Sequence, residues 1–214
     1  MLDERQQRVL DALGERSEKL AGIYRSALGA FGIAAEEGYE AARISIVCHC
    51  MRELMIGLPM VMAEKTIPRP KPASGSLVYK LPELLGSHPE LDLALNQDLV
   101  PVPREVARAV LALVTAQVQE VGRNRSNAAS LITSGTDGNH PAIDQWMDAY
   151  SFFVAWTHLD QHDEGGALPT ADQIAENIRI VEDVIEVRSA AFFENLHSVE
   201  DLLAHINATS EGDE

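Results

Sequence analysis

Apolar residues near the N-terminus recur at helical intervals: Val9, Leu13, Leu20, Ile23, Tyr24 and Leu28 stand three, four and seven apart, which predicts an amphipathic helix. A second helix is predicted from about Ala34 to Leu58, ending at Pro59, with Ile44, Val47, Met51, Leu54, Met55 and Leu58 as its core stripe. Residues 65–103 then hold seven of the ten prolines. Proline removes a backbone donor and breaks helices, so only short turns of helix are expected there, over Pro82–Leu85 and Pro89–Leu95. A third long helix starts at Pro103, a favoured first position, and sets Val106, Val110, Val114, Val118 and Val121 on one stripe before Gly122 stops it. A short helix is expected around Ser126–Thr133. Pro141 opens the next, whose Ile143, Trp146, Met147, Tyr150, Phe153 and Val154 form a face before Gly165-Gly166. Thr170 with Gln173 makes a capping-box pattern for a helix reaching about Leu196, and Ser198 caps a last one ending near Ile206.

No strand-type alternation of useful length and no internal repeat interrupts this pattern. It predicts an all-α multi-helix bundle of about five long or medium helices plus short ones. Residues 1–208 form a single domain with 65–103 as a proline-rich excursion, and 209–214 form an acidic disordered tail.

The helix over 171–196 carries two adjoining apolar stripes, Ile174, Ile178, Val181, Ile185 and Phe192 on one, and Ile180, Val184, Val187 and Ala191 on the other. Together they cover about half the circumference, more than a surface helix needs, so this helix should pack on two sides. Arg188 projects into that arc. A buried guanidinium requires partners, and a carboxylate from another helix is the expected one.

The chain has a formal net charge of −16, and residues 160–214 hold fourteen acidic against two basic residues. A field of that sign repels nucleic-acid backbones and attracts basic surfaces, which disfavours direct nucleic-acid binding. No uninterrupted apolar run of about eighteen residues exists, so no membrane span is expected. The polar, acidic N-terminus argues against a signal peptide. Cys48 and Cys50 lie two apart in one predicted helix, pointing about 200° apart, and cannot readily bridge. A reduced, cytoplasmic protein is expected.

Candidate chemistry concentrates in the second helix. His49 and Glu53 stand one turn apart and can hydrogen-bond directly, a pairing suited to general acid–base work, while Arg43 on the same helix points about 120° from His49. The spacing of Arg43 and His49 resembles the arginine–histidine pattern of the HEPN superfamily, small all-helical proteins many of which are metal-independent ribonucleases acting as dimers. That resemblance implies phosphate contact by Arg43 and acid or base action by His49. It covers two residues, and Ile44 stands where a polar residue usually follows the arginine. His158 and His162, spaced four apart, form a possible helical chelate for a metal. No cofactor is otherwise indicated. The leading expectation is a non-enzymatic acidic helical interaction protein, of the antitoxin, immunity or assembly-subunit kind. It would bind a basic protein partner or itself as a homodimer. A small helical ribonuclease using Arg43, His49 and Glu53, or a metal-binding protein using His158 and His162, is the alternative.

Overall fold

In the computed structural model every described element is a helix. The structure describes residues 2–34, 36–93, 99–157 and 167–210, with side chains to Ala191 in the last segment. The chain divides into two compact units, residues 1–65 with 128–214, and residues 66–127.

The first unit is a closed ring of helices. Helix α1 (Glu4–Gly14) opens on a capping box in which Asp3 and Gln6 satisfy each other's backbone N–H groups. Helix α2 (Glu18–Gly32) is capped by Ser17. The predicted single N-terminal helix is therefore two, because the Ser17 hydroxyl accepts from the Leu20 N–H and restarts the helix after a turn. Helix α3 (Glu40–Met62) runs through Pro59 and ends one turn later than expected. Pro59 lies near the helix end, and its missing donor leaves only one carbonyl unbonded. Helices α7 (Pro141–Ala155) and α8 (Ala171–Ser210) complete the ring. Contacts run α1 to α2, α2 to α3, α3 to α7, α7 to α8 and α8 back to α1, and α3 also touches α8.

All six predicted stripe residues of α3 are buried. They meet Tyr24 and Leu28 of α2, Ile143, Trp146 and Phe153 of α7, and Ile174, Ile178, Val181 and Ile185 of α8 in one cluster. Burying each large side chain contributes about 1.5–3 kcal/mol. Helix α8 contacts both α1 and α7, but of its two apolar stripes only Ile174, Ile178, Val181 and Ile185 are buried, while Ile180 and Val184 are half-buried and Val187 is exposed. Its predicted start holds as well: Thr170 Oγ1 accepts from the Gln173 N–H, and Gln173 Oε1 from the Thr170 N–H. The helix is continuous past Ser198, so the separate final helix is not formed. Among the described residues only α3 has the length and apolarity to cross a membrane, and its apolar side is the core stripe just described.

The second unit contains α4 (Ser74–Val78), α5 (Leu81–Gly86) and residues 104–127 of α6 (Arg104–Thr133). The expected break at Gly122 is absent, since one glycine costs an otherwise strong helix only about 1 kcal/mol, and α6 absorbs the predicted short helix at 126–133. The proline-rich strand of chain lies along α6 through two polar clasps. Asn127, itself buried, accepts from the Ile67 N–H at 2.7 Å and donates to the Ile67 carbonyl at 3.2 Å. Glu120 accepts from both the backbone N–H and the hydroxyl of Ser74. Those bonds hold the Glu120 carboxyl below its ordinary pKa.

Candidate interaction surface

Helix α6 has two contrasting faces within the second unit. Val106 and Ala116 are buried and Glu120 and Asn127 make the clasps, so this side faces the proline-rich segment. The opposite side is apolar but uncovered: Leu111 is 66%, Val114 52%, Val118 69% and Val121 71% exposed. Sequence periodicity places these valines on one stripe with Val106. The structure separates them, because Val106 turns inward and the others do not. Isolated exposed valines are ordinary, but here no charge interrupts the row, for residues 109–119 contain no Asp, Glu, Lys or Arg. The row leaves roughly 400–500 Å² of apolar surface in contact with water, the scale at which exposed patches mark binding sites.

The residues nominated by sequence lie elsewhere. The Arg43 guanidinium donates to the carbonyls of Phe31, at 3.1 Å, and Ile33, at 2.9 Å. It thereby closes the C-terminal end of α2, where carbonyls lack helical partners, and is not brought to His49. His49 sits on the exposed side of α3. Its expected partner Glu53 instead accepts from Arg52 at 2.8 Å, and the same Arg52 nitrogen lies 3.5 Å from His49 Nδ1. A cationic guanidinium makes the stronger bond to a carboxylate than a neutral imidazole does. Neighbouring Ser45 donates to the Thr157 carbonyl at 2.7 Å, tying α3 to the end of α7. His158 and His162 lie outside the described residues, and among the described residues no cluster of three His, Cys, Asp or Glu could hold a metal.

Arg188 departs from expectation in its partners. Its guanidinium donates to the Met62 carbonyl at 3.1 Å and to Ser134 Oγ at 3.2 Å, and no carboxylate among the described residues pairs with it. Met62 is the last residue of α3, where the helix dipole presents partial negative charge, so the helix end takes the place of an acid. Burial first, then repulsion from Arg188, lowers the pKa of Arg16 nearby. A cavity of about 300 Å³ beside Arg188 is lined by Ile132, His140, Gln145, Ile180, Asp183 and Val184, among others.

Sequence reading missed a buried polar cluster between α1, α2 and α8. Tyr24 is fully buried, and its hydroxyl donates to Glu182 Oε1 at 2.6 Å. Arg5 Nη1 approaches the other Glu182 oxygen at 3.9 Å and bonds Glu186 at 2.9 Å and also Asp183. Desolvation dominates at Glu182 and raises its pKa against the lowering effects of Tyr24 and Arg5. Desolvation and then the Glu182 bond raise the Tyr24 phenol. Of these acids of α8 only Glu182 is buried, while Asp183 and Glu186 meet Arg5 at the surface of the bundle. The signal available in sequence was slight: Glu182 follows Ile178 by four and Val181 by one, which sets a carboxylate at the margin of the core stripe.

The chain has no match among protein-family models, curated proteins or solved structures. The residues themselves are therefore the basis for a functional reading.

Proposed function

We propose that this chain is a non-enzymatic helical interaction protein that works through the uncharged outer face of α6. The observation that carries the reading is the row Leu111, Val114, Val118 and Val121, each more than half exposed. A helix with two apolar sides lowers its free energy by covering both, and here only the inner side is covered. The apolar spacing suits a helical partner lying lengthwise, with anchors at intervals of three and four residues. The acidic first unit adds selectivity. A groove lined by Leu10, Ala21 and Gly22 carries Asp11, Glu15 and Glu18 together with Arg25, a net acidic surface that disfavours strongly acidic partners at that face. Commitment of Arg43 to the end of α2, and of Glu53 to Arg52, is consistent with this reading over the ribonuclease alternative.

The test is native mass spectrometry of the untagged chain expressed in its own source, with and without the paired substitutions Val114→Glu and Val118→Glu. Added polypeptide mass on the 23.4 kDa chain that disappears in the variant is the expected result. A bare chain in both preparations overturns the reading.

A further inference from the structure

Resting on the reading that α6 is a docking face, we infer that its occupant is a second copy of this chain, with the two α6 helices packed antiparallel. Leu111, Val114, Val118 and Val121 are separated by three, four and three residues, the seam of a two-helix coiled coil. An antiparallel pair centred near residue 116 sets Leu111 against Val121 and Val114 against Val118. The seam is then complementary to itself, as a two-fold interface requires.

Charge permits the same occupant along the seam. Residues 66–127 hold seven basic and six acidic residues, so this unit is nearly neutral, while the rest of the chain holds ten basic and twenty-seven acidic. Two copies repel each other through their first units but meet no like charge across residues 109–119. A parallel pairing is the poorer arrangement. It would align the helix dipoles and bring Arg108 to Arg108 and Arg125 to Arg125, whereas the antiparallel register sets Arg125 opposite Ala107 and Arg108 opposite Asn124.

The area sets the strength. Two copies of the row remove at most about 800–1,000 Å² of apolar surface from water, below the standard size of a stable interface and in the range of weak, reversible ones. The pair is therefore a reversible dimer, expected to dissociate on dilution. Because the driving force is apolar and the long-range charge repulsive, added salt tightens it, opposite to the docking of a basic partner.

The test uses the full-length chain purified alone. Chains carrying Val114→Cys and Val118→Cys, each on a Cys50→Ser background because Cys50 is a half-buried free thiol, are mixed under a mild added oxidant, each also being treated by itself. The antiparallel pair predicts a cross-link between the two variants in the mixture and little within either alone. Cross-links formed by Val114→Cys alone and by Val118→Cys alone, with none gained on mixing, overturn the antiparallel arrangement. No cross-link in any sample, together with a single 23.4 kDa species up to about 100 μM, overturns the second copy as occupant. In that event polypeptide mass still bound in source-expressed protein and lost on Val114→Glu/Val118→Glu leaves the docking face standing with a different partner, while its absence removes both. A dimer that survives Val114→Glu/Val118→Glu, with circular dichroism unchanged, overturns the assignment to α6.

Discussion

Replacing Tyr24 by Phe isolates one hydrogen bond in the interior of the first unit. The ring is fully buried and the phenol donates to Glu182 at 2.6 Å, so Phe keeps the packing and removes only the donor. Hydrogen bonds to charged groups contribute about 1.5–3 kcal/mol. Glu182 retains a weaker partner in Arg5 at 3.9 Å, which places the expected loss near the middle, about 2 kcal/mol. For a chain of this size that corresponds to a fall in Tm of about 4–8 °C. The pH dependence follows from the raised pKa of Glu182, which burial causes. Between its unfolded and folded pKa values the folded chain binds more protons than the unfolded one. The contribution of Glu182 to stability is therefore full below the unfolded value and declines as pH rises through the folded value. Removing the donor that stabilises the carboxylate should cost most at neutral pH and less as acid protonates the group. Urea unfolding of wild type and Tyr24→Phe at neutral and mildly acidic pH, repeated on a Glu182→Gln background, measures this. In the Gln background the loss should shrink to about 1 kcal/mol, that of a neutral hydrogen bond. An identical loss at every pH and in both backgrounds would refute the assigned bond.

Arg43→Ala should lower stability by about 1 kcal/mol, since two carbonyls at the end of α2 lose a partly exposed donor, whereas His49→Ala on the exposed face should stay within about 0.5 kcal/mol. Chemical denaturation of both reads the difference, and equal effects would contradict the placement. Gly57→Ala puts a methyl carbon 2.6 Å from Leu20 Cδ2 and should destabilise by about 1 kcal/mol or more. On a Leu20→Ala background the sign should reverse to a gain of about 0.5–1 kcal/mol from helix propensity, so loss in both backgrounds refutes the close approach. Burial pushes the Cys48 thiol up to about 12, so a thiol reagent at pH 8 should modify half-buried Cys50 and reach Cys48 only on unfolding; equal labelling rates would count against that core position.

The helical class was legible because period-3.6 spacing reports burial on one face wherever a core stripe is wide. The stripe of α3 from Ile44 to Leu58 and the face of α7 are the clearest cases. Boundaries were harder. Pro59 and Gly122 read as stops but are carried inside α3 and α6, where flanking helix formers and packing outweigh one weak position. Ser17, by contrast, caps a new helix after a turn where apolar spacing alone would have continued one helix. Periodicity also reports that residues share a face without reporting what covers it. Val106 and Val118 lie within about a third of a turn of each other on α6, yet one is buried and the other open. Long-range pairings were the least legible part. Arg188 reaching the carbonyl of Met62, and Tyr24 reaching Glu182 across 158 residues of chain, depend on how helices meet, which no local spacing encodes.

Sedimentation equilibrium of the full-length chain, over about 1–100 μM and at low and high salt, tests the central claim most directly. The expected result is a concentration-dependent rise from 23.4 kDa toward twice that mass. The rise should be steeper in high salt and abolished by Val114→Glu/Val118→Glu. A constant 23.4 kDa at every concentration, or a dimer that salt dissociates and the α6 variant leaves intact, would contradict it.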